Sequence, residues 1–163
     1  MKQERKHPRL KEYDYSLPGY YYVTICTTDE TVCLSGVGWG SAPGTAQVTL
    51  TKAGRIAQEQ LVALEMRYPY VRIDQYVIMP NHIHAIIELK MMQASEKRVD
   101  LMAILCAYKS LATRQLNQAL QSPGKKWFQT SFYETVLRNE VAYLECWRYI
   151  DENPMKWLLG YHR

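Results

Sequence analysis

The stretch Tyr76 to Leu89, YVIMPNHIHAIIEL, constrains this chain more than any other. Apolar residues run up to Pro80-Asn81 and resume directly after it. Two strands are therefore predicted, Tyr70 to Met79 and Asn81 to Lys90, and the tight turn between them makes them antiparallel neighbours. Successive strand residues point to opposite faces, so His82 and His84 share one face and Ile83 takes the other. Two imidazoles side by side on a strand form a rigid half of a metal site. Taken alone, the pattern reads first as one or two half-buried strand histidines, because it is short and a metal needs more ligands than two.

Elements on either side of this stretch complete a pattern. Met1 to Tyr15 is basic, aromatic and aperiodic, and is expected to lie on the surface as part of an N-terminal arm reaching residue 17. Tyr20 to Thr27, rich in β-branched and aromatic residues, predicts a first strand. Thr28 to Leu50 reads as a hairpin-like insertion with a floppy tip around Val37 to Thr45. Thr51 caps a predicted helix to about Arg67, with Ile56, Leu61, Leu64 and Met66 on its apolar face. A second helix is predicted over Val99 to Leu120, with Leu101, Ile104, Leu105, Tyr108, Leu111, Ala112 and Leu116 on one side. Trp127 to Leu137 contains a fourth strand, and Asn139 caps a last helix from about Glu140 to Glu152 that ends at Asn153-Pro154.

The order β-α-β-β-α-β plus a terminal helix predicts an α+β fold: a ferredoxin-like, RRM-like antiparallel sheet with two helices on one face and the other face available. A length of 163 residues suits one domain, 1–163. A net charge of +4 permits a nucleic-acid or phosphate partner without demanding one. Thirteen tyrosines and four tryptophans are enough for base stacking, although most are expected to pack in or around the core. Cys26, Cys33, Cys106 and Cys146 lack any C-x-x-C spacing and read as small buried hydrophobes or free thiols of a reduced compartment. With no signal peptide and no apolar run near the roughly 20 residues of a membrane span, the cytoplasm is expected.

The terminal helix carries Tyr149 and, four residues on, Asn153, which share a helix face. An Asn amide oxygen is a reasonable third ligand for a hard divalent ion held by two imidazoles. One site could then join a metal that polarises a phosphate oxygen to a tyrosine that attacks phosphorus. The same residues, taken without the histidines, read as a helix stop and a core tyrosine.

Together these stretches resemble the IS200-type, single-tyrosine HUH transposases, and most closely the repeat-associated tyrosine transposases. The resemblance spans nearly the whole chain: LKEYDYS at Leu10 to Ser16, YYVTICT at Tyr21 to Thr27, DQYVIMPNHIHAIIEL at Asp74 to Leu89, AYKSLATRQLN at Ala107 to Asn117, FYETVLRNE at Phe132 to Glu140 and RYIDENPMKW at Arg148 to Trp157. It implies that Tyr149 is the nucleophile and that His82, His84 and Asn153 hold Mg²⁺ or Mn²⁺. It implies cleavage of single-stranded DNA by transesterification, leaving a 5′-phosphotyrosine bond and a free 3′-OH, with hairpin-forming repeats as partners. The active site would be built within a monomer or across a homodimer.

The chain departs from the family pattern in places. Phe128-Gln129-Thr130 stands where members often have Trp-Gln-Arg, and Thr135 where many have His. A C-terminal DNA-binding tail found in some relatives is not expected after Arg163, and the 28–50 insertion is long. Candidate phosphate contacts are Lys109 and Arg114 on the long helix, Lys125 and Lys126 in the turn after it, and Arg138, Arg148 and Lys156 near the tyrosine helix. The alternative reading is a catalytically silent or domesticated protein that uses the sheet to hold a nucleic-acid hairpin. A phosphoesterase with two H-x-[ST] motifs is disfavoured, because His7 and His162 lie in no such motif.

Overall fold

Strand β1, Gly19–Cys26, runs through the middle of the sheet and explains its construction. Tyr21, Val23 and Ile25 are fully buried on one face, while Tyr20, Tyr22, Thr24 and Cys26 are half-buried on the other. A strand covered on both faces needs bulky β-formers throughout, and GYYYVTIC supplies them. The computed structural model describes residues 9–93 and 96–161. His7 and His162, the first eight residues of the arm and Arg163 lie outside them.

After β1 come a hairpin of β2, Ser35–Trp39, and β3, Ala46–Leu50, then helices α1, Lys52–Val62, and α2, Leu64–Arg67. Strands β4, Val71–Ile78, and β5, His82–Leu89, follow, then α3, Leu101–Ala119, β6, Tyr133–Leu137, and α4, Glu140–Leu158. The main sheet has the order β4-β5-β1-β6 with every neighbouring pair antiparallel. This is the predicted ferredoxin-like topology, with the β2–β3 hairpin inserted between the first strand and first helix.

Helices α1 and α3 cover one face. Ala57, Leu61, Ile104, Leu105, Tyr108, Ala112 and Leu116 pack with Val23, Ile25, Ile83, Ala85 and Ile87 into the main core. The expected caps form: Thr51 Oγ1 accepts from Gly54 N at 3.0 Å and Asn139 Oδ1 from Ala142 N at 2.9 Å. A third cap, Asp100 Oδ1 accepting from Ala103 N at 2.8 Å, starts α3.

Several expectations need correction. The arm is not purely superficial, since Tyr15 is buried in the core and its carbonyl accepts from Leu101 N. The insertion is an ordered hairpin, with Val37 to Trp39 in strand β2 and the tip confined to 40–45. The first helix breaks at Ala63, and its buried face uses Ala53, Ala57, Leu61 and Leu64, leaving Met66 exposed. Leu111 is only half-buried on α3, and none of the four free cysteines is fully buried. Helix α4 does not stop at Asn153-Pro154 but continues through Pro154 to Leu158. Proline inside a helix removes one hydrogen bond and costs about 3 kcal/mol in isolation. Packing overrides this, because α4 lies against β4, β5, β6 and the β2–β3 hairpin. The second face of the sheet is therefore covered by α4 rather than left open. No helix among the described residues is long and apolar enough to cross a membrane.

Candidate active site under the terminal helix

The covered second face holds the chemistry. Strand β5 turns Ile83, Ala85 and Ile87 into the main core, so His82, His84 and Ile86 face α4. Their ring centroids place the two imidazoles 4.5 Å apart. Opposite them α4 contributes Tyr149, whose ring meets His84 edge-on at 5.5 Å, and Asn153, which is 7% exposed. The Asn153 side chain faces the His82 imidazole closely enough to favour its protonated form. Tyr149, His82, His84 and Asn153, picked out from two distant stretches of sequence, thus converge in one chain. Tyr149 is 38% exposed, so it is not a core residue and its hydroxyl group belongs to an accessible side chain.

Sequence reasoning missed the groups that hold these side chains. Thr24 stands directly opposite His84 in the β1–β5 ladder, and Cys26 opposite His82. Nδ1 of His84 lies 2.8 Å from Tyr22 Oη and 2.9 Å from Thr24 Oγ1. Tyr22 also stacks on the His84 ring at 5.5 Å. His82 Nδ1 pairs with Asn81 Oδ1 at 2.7 Å, and Trp157 packs its ring 6.3 Å from that of His82. The alternation of β1 could have put Tyr22 and Thr24 on one face, but only the register brings them to His84.

With each Nδ1 engaged, Nε2 is the candidate ligand nitrogen of each ring. Burial pulls the His82 imidazole down to about 4, opposed by the Asn153 side chain. His84 is pulled well below the ordinary histidine value by burial and then by His82 beside it. Both rings are therefore neutral at neutral pH, the form that binds metal. No three His, Cys, Asp or Glu side chains gather into a metal-binding group among the described residues. A divalent ion here would take two imidazoles and the Asn153 amide oxygen, a donor set that suits it.

The basic candidates divide. Lys156 Nζ sits 4.8 Å from the Tyr149 ring centroid and pairs with Glu152 at 3.2 Å. Arg148, exposed on α4, directly precedes Tyr149, but successive helix residues do not share a face. The others are not brought to the site. Lys109 donates to the carbonyls of Gln129 and Thr130 at 3.0 and 2.6 Å, and burial lowers its ammonium from the ordinary value. It is a tether between α3 and the segment before β6. Arg114 is exposed on α3, which covers the opposite face of the sheet. Lys125 rests on Trp127 at 3.8 Å, Lys126 is exposed, and Arg138 lies over Tyr13 at 5.9 Å. Thr135 pairs with Tyr22, so that departure from the family pattern faces the site side of the sheet.

An uncharacterized protein of Haemophilus influenzae is 31% identical over 168 residues, covering 94% of this chain and 89% of that protein. The two chains belong to one family. No family model matches the chain. Among solved structures, a REP-associated tyrosine transposase bound to a REP hairpin superposes with a TM-score of 0.61 at 19% identity, over 93% of this chain and 74% of that one. A candidate transposase from Deinococcus radiodurans superposes with a TM-score of 0.53 at 14% identity, over 94% of this chain and 98% of that one. This chain has the tyrosine transposase fold, as its sequence motifs led us to expect.

Proposed function

We propose that this protein is a metal-dependent single-stranded DNA endonuclease and strand transferase of the transposase type. The observation that carries the reading is the convergence of Tyr149 and Asn153 from α4 on His82 and His84 of β5 within one chain. In the proposed cleavage, Tyr149 Oη attacks a backbone phosphorus. The Oη–P bond forms, the P–O3′ bond breaks, and the phenol proton leaves for the departing 3′ oxygen. The products are a 5′-phosphotyrosine and a free 3′-OH, and attack by another 3′-OH reverses the step without ATP. Phosphodiester energy is conserved in the covalent link.

Mg²⁺ or Mn²⁺ held by His82, His84 and Asn153 would supply positive charge to polarise a phosphate oxygen. Tyr22 is unsuited as the nucleophile, because its hydroxyl is engaged by His84 and burial pushes its phenol above the ordinary value. Lys156, whose ammonium lies over the Tyr149 ring, is the candidate cation to meet a phosphate there. The hairpin-bound structural relative makes hairpin-forming single-stranded DNA the substrate to try.

The test is a covalent-adduct assay with oligonucleotides from the DNA flanking the gene, with and without Mn²⁺ or Mg²⁺. Wild type is expected to give a denaturation-resistant protein–DNA band that requires metal, and Tyr149→Phe none, with DNA binding retained. Tight metal-independent binding to the same hairpins with no band from wild type would favour a hairpin-binding protein instead.

A further inference from the structure

Strand β4 carries a bulge between Ile73, paired with Ile87, and Gln75, paired with Ile86, so Asp74 has no partner across the ladder. Asp74 follows Ile73, which faces the main core, so it points to the other face, and the bulge leaves it outside the ladder there. Here Asp74 meets α4, where Tyr143 Oη donates to its Oδ2. Arg72 reaches Asp74 Oδ1 at 2.8 Å and donates through Nε to Glu88 Oε2 at 2.6 Å. The Tyr20 ring packs edge-on against Tyr143 at 5.1 Å. Asp74 has a side chain only 10% exposed, and a carboxylate so poor in water needs donors such as these.

This cluster stands away from the histidines. Glu88 is six positions along β5 from His82, about 20 Å of strand. Tyr143 is ten positions along α4 from Asn153, about 15 Å of helix. Besides its apolar packing through Ile150, helix α4 thus meets the sheet with polar side chains at two points, Tyr143 on Asp74 and Asn153 beside His82, with Tyr149 between them. Arg138 and Asn139 join it to β6 and fix where the helix starts, and the side chains it meets further along decide how it lies on the sheet.

We infer that Tyr143 and Asp74 are positioning residues that set the rotation and register of α4, and through it the placement of Tyr149 and Asn153 against the histidines. The inference rests on the reading of Asn153 as a metal ligand. Neither residue touches the reacting groups.

The test is Mn²⁺ binding to the full, DNA-free chain by electron paramagnetic resonance, in wild type, Tyr143→Phe, Asn153→Ala and the double variant. Tyr143→Phe keeps the ring against Tyr20 and removes only the hydrogen bond to Asp74. It is expected to weaken Mn²⁺ about tenfold, as loss of an outer-shell support does, and Asp74→Ala should do the same. The double variant should bind no more weakly than Asn153→Ala alone, because Tyr143 acts only through that ligand. In metal-free protein the Asn153 side-chain amide resonance, identified by its absence in Asn153→Ala, should shift in Tyr143→Phe. Wild-type Mn²⁺ affinity together with an unmoved resonance in Tyr143→Phe overturns the inference, and so does an additive loss in the double variant. If wild type and Asn153→Ala bind Mn²⁺ equally, the ligand reading of Asn153 fails by itself, and the amide resonance then decides the positioning.

Discussion

Thr24 shows how much of this site depends on single side chains that do no chemistry. Its hydroxyl and that of Tyr22 meet on Nδ1 of His84, which leaves Nε2 as the candidate metal ligand of the proposed site. Thr24→Val keeps the shape of the side chain and removes that contact. We predict a 10- to 100-fold loss of Mn²⁺ affinity, about the size seen when outer-shell partners of metal ligands are removed, and recovery in Thr24→Ser. Titration calorimetry would measure it, and wild-type affinity in Thr24→Val would refute the role. Tyr149, the proposed nucleophile, differs: the fixed spacing that puts it on one helix face with Asn153 can be read from the sequence alone. Lys109 was legible only as a charge, and the structure spends that charge on two carbonyls.

At the level of elements, local rules did well where an element's neighbours agreed with them. Caps at Thr51 and Asn139 formed as expected, since an N-cap needs nothing beyond its own first turn. Pro154 is the counter-example: its local preference to end α4 yields to packing along the sheet and the β2–β3 hairpin. Gly54 records the same pressure at α1. A Cβ there would lie 1.9 Å from the Leu34 carbonyl oxygen, in the link that leads into β2. Alanine favours a helix over glycine by about 1 kcal/mol, but overpacking of this kind costs about 1–3 kcal/mol and backbone cannot swing aside as a side chain can. Gly54→Ala is therefore predicted to destabilise, with a lower urea midpoint at unchanged slope. A rise in midpoint would mean that α1 shifts freely against the hairpin.

At the scale of the whole molecule, the sheet is buried on both faces, and its tyrosines carry a pH signature. Burial holds the phenols of Tyr21, Tyr22 and Tyr108 above their ordinary value. In the unfolded chain they ionise near pH 10. Above that pH the unfolded state binds fewer protons than the native state, so stability falls as pH rises; below it the contribution is fully present. Urea melts from pH 8 to about 11 should show a steady fall beginning near pH 10. A flat profile would mean these phenols ionise within the fold. The sequence by itself determined the order of elements, the paired histidines on one strand face, the tyrosine–asparagine spacing and hence the topology, because periodicity and spacing are properties of a local chain. Only the tertiary structure decided that α4 covers the second face, that Tyr22 and Thr24 hold His84, and that Asp74 bulges out to meet Tyr143. Each of these depends on strand register or on a helix docking across the sheet, where residues far apart in sequence compete for the same surface and local preference does not choose between them.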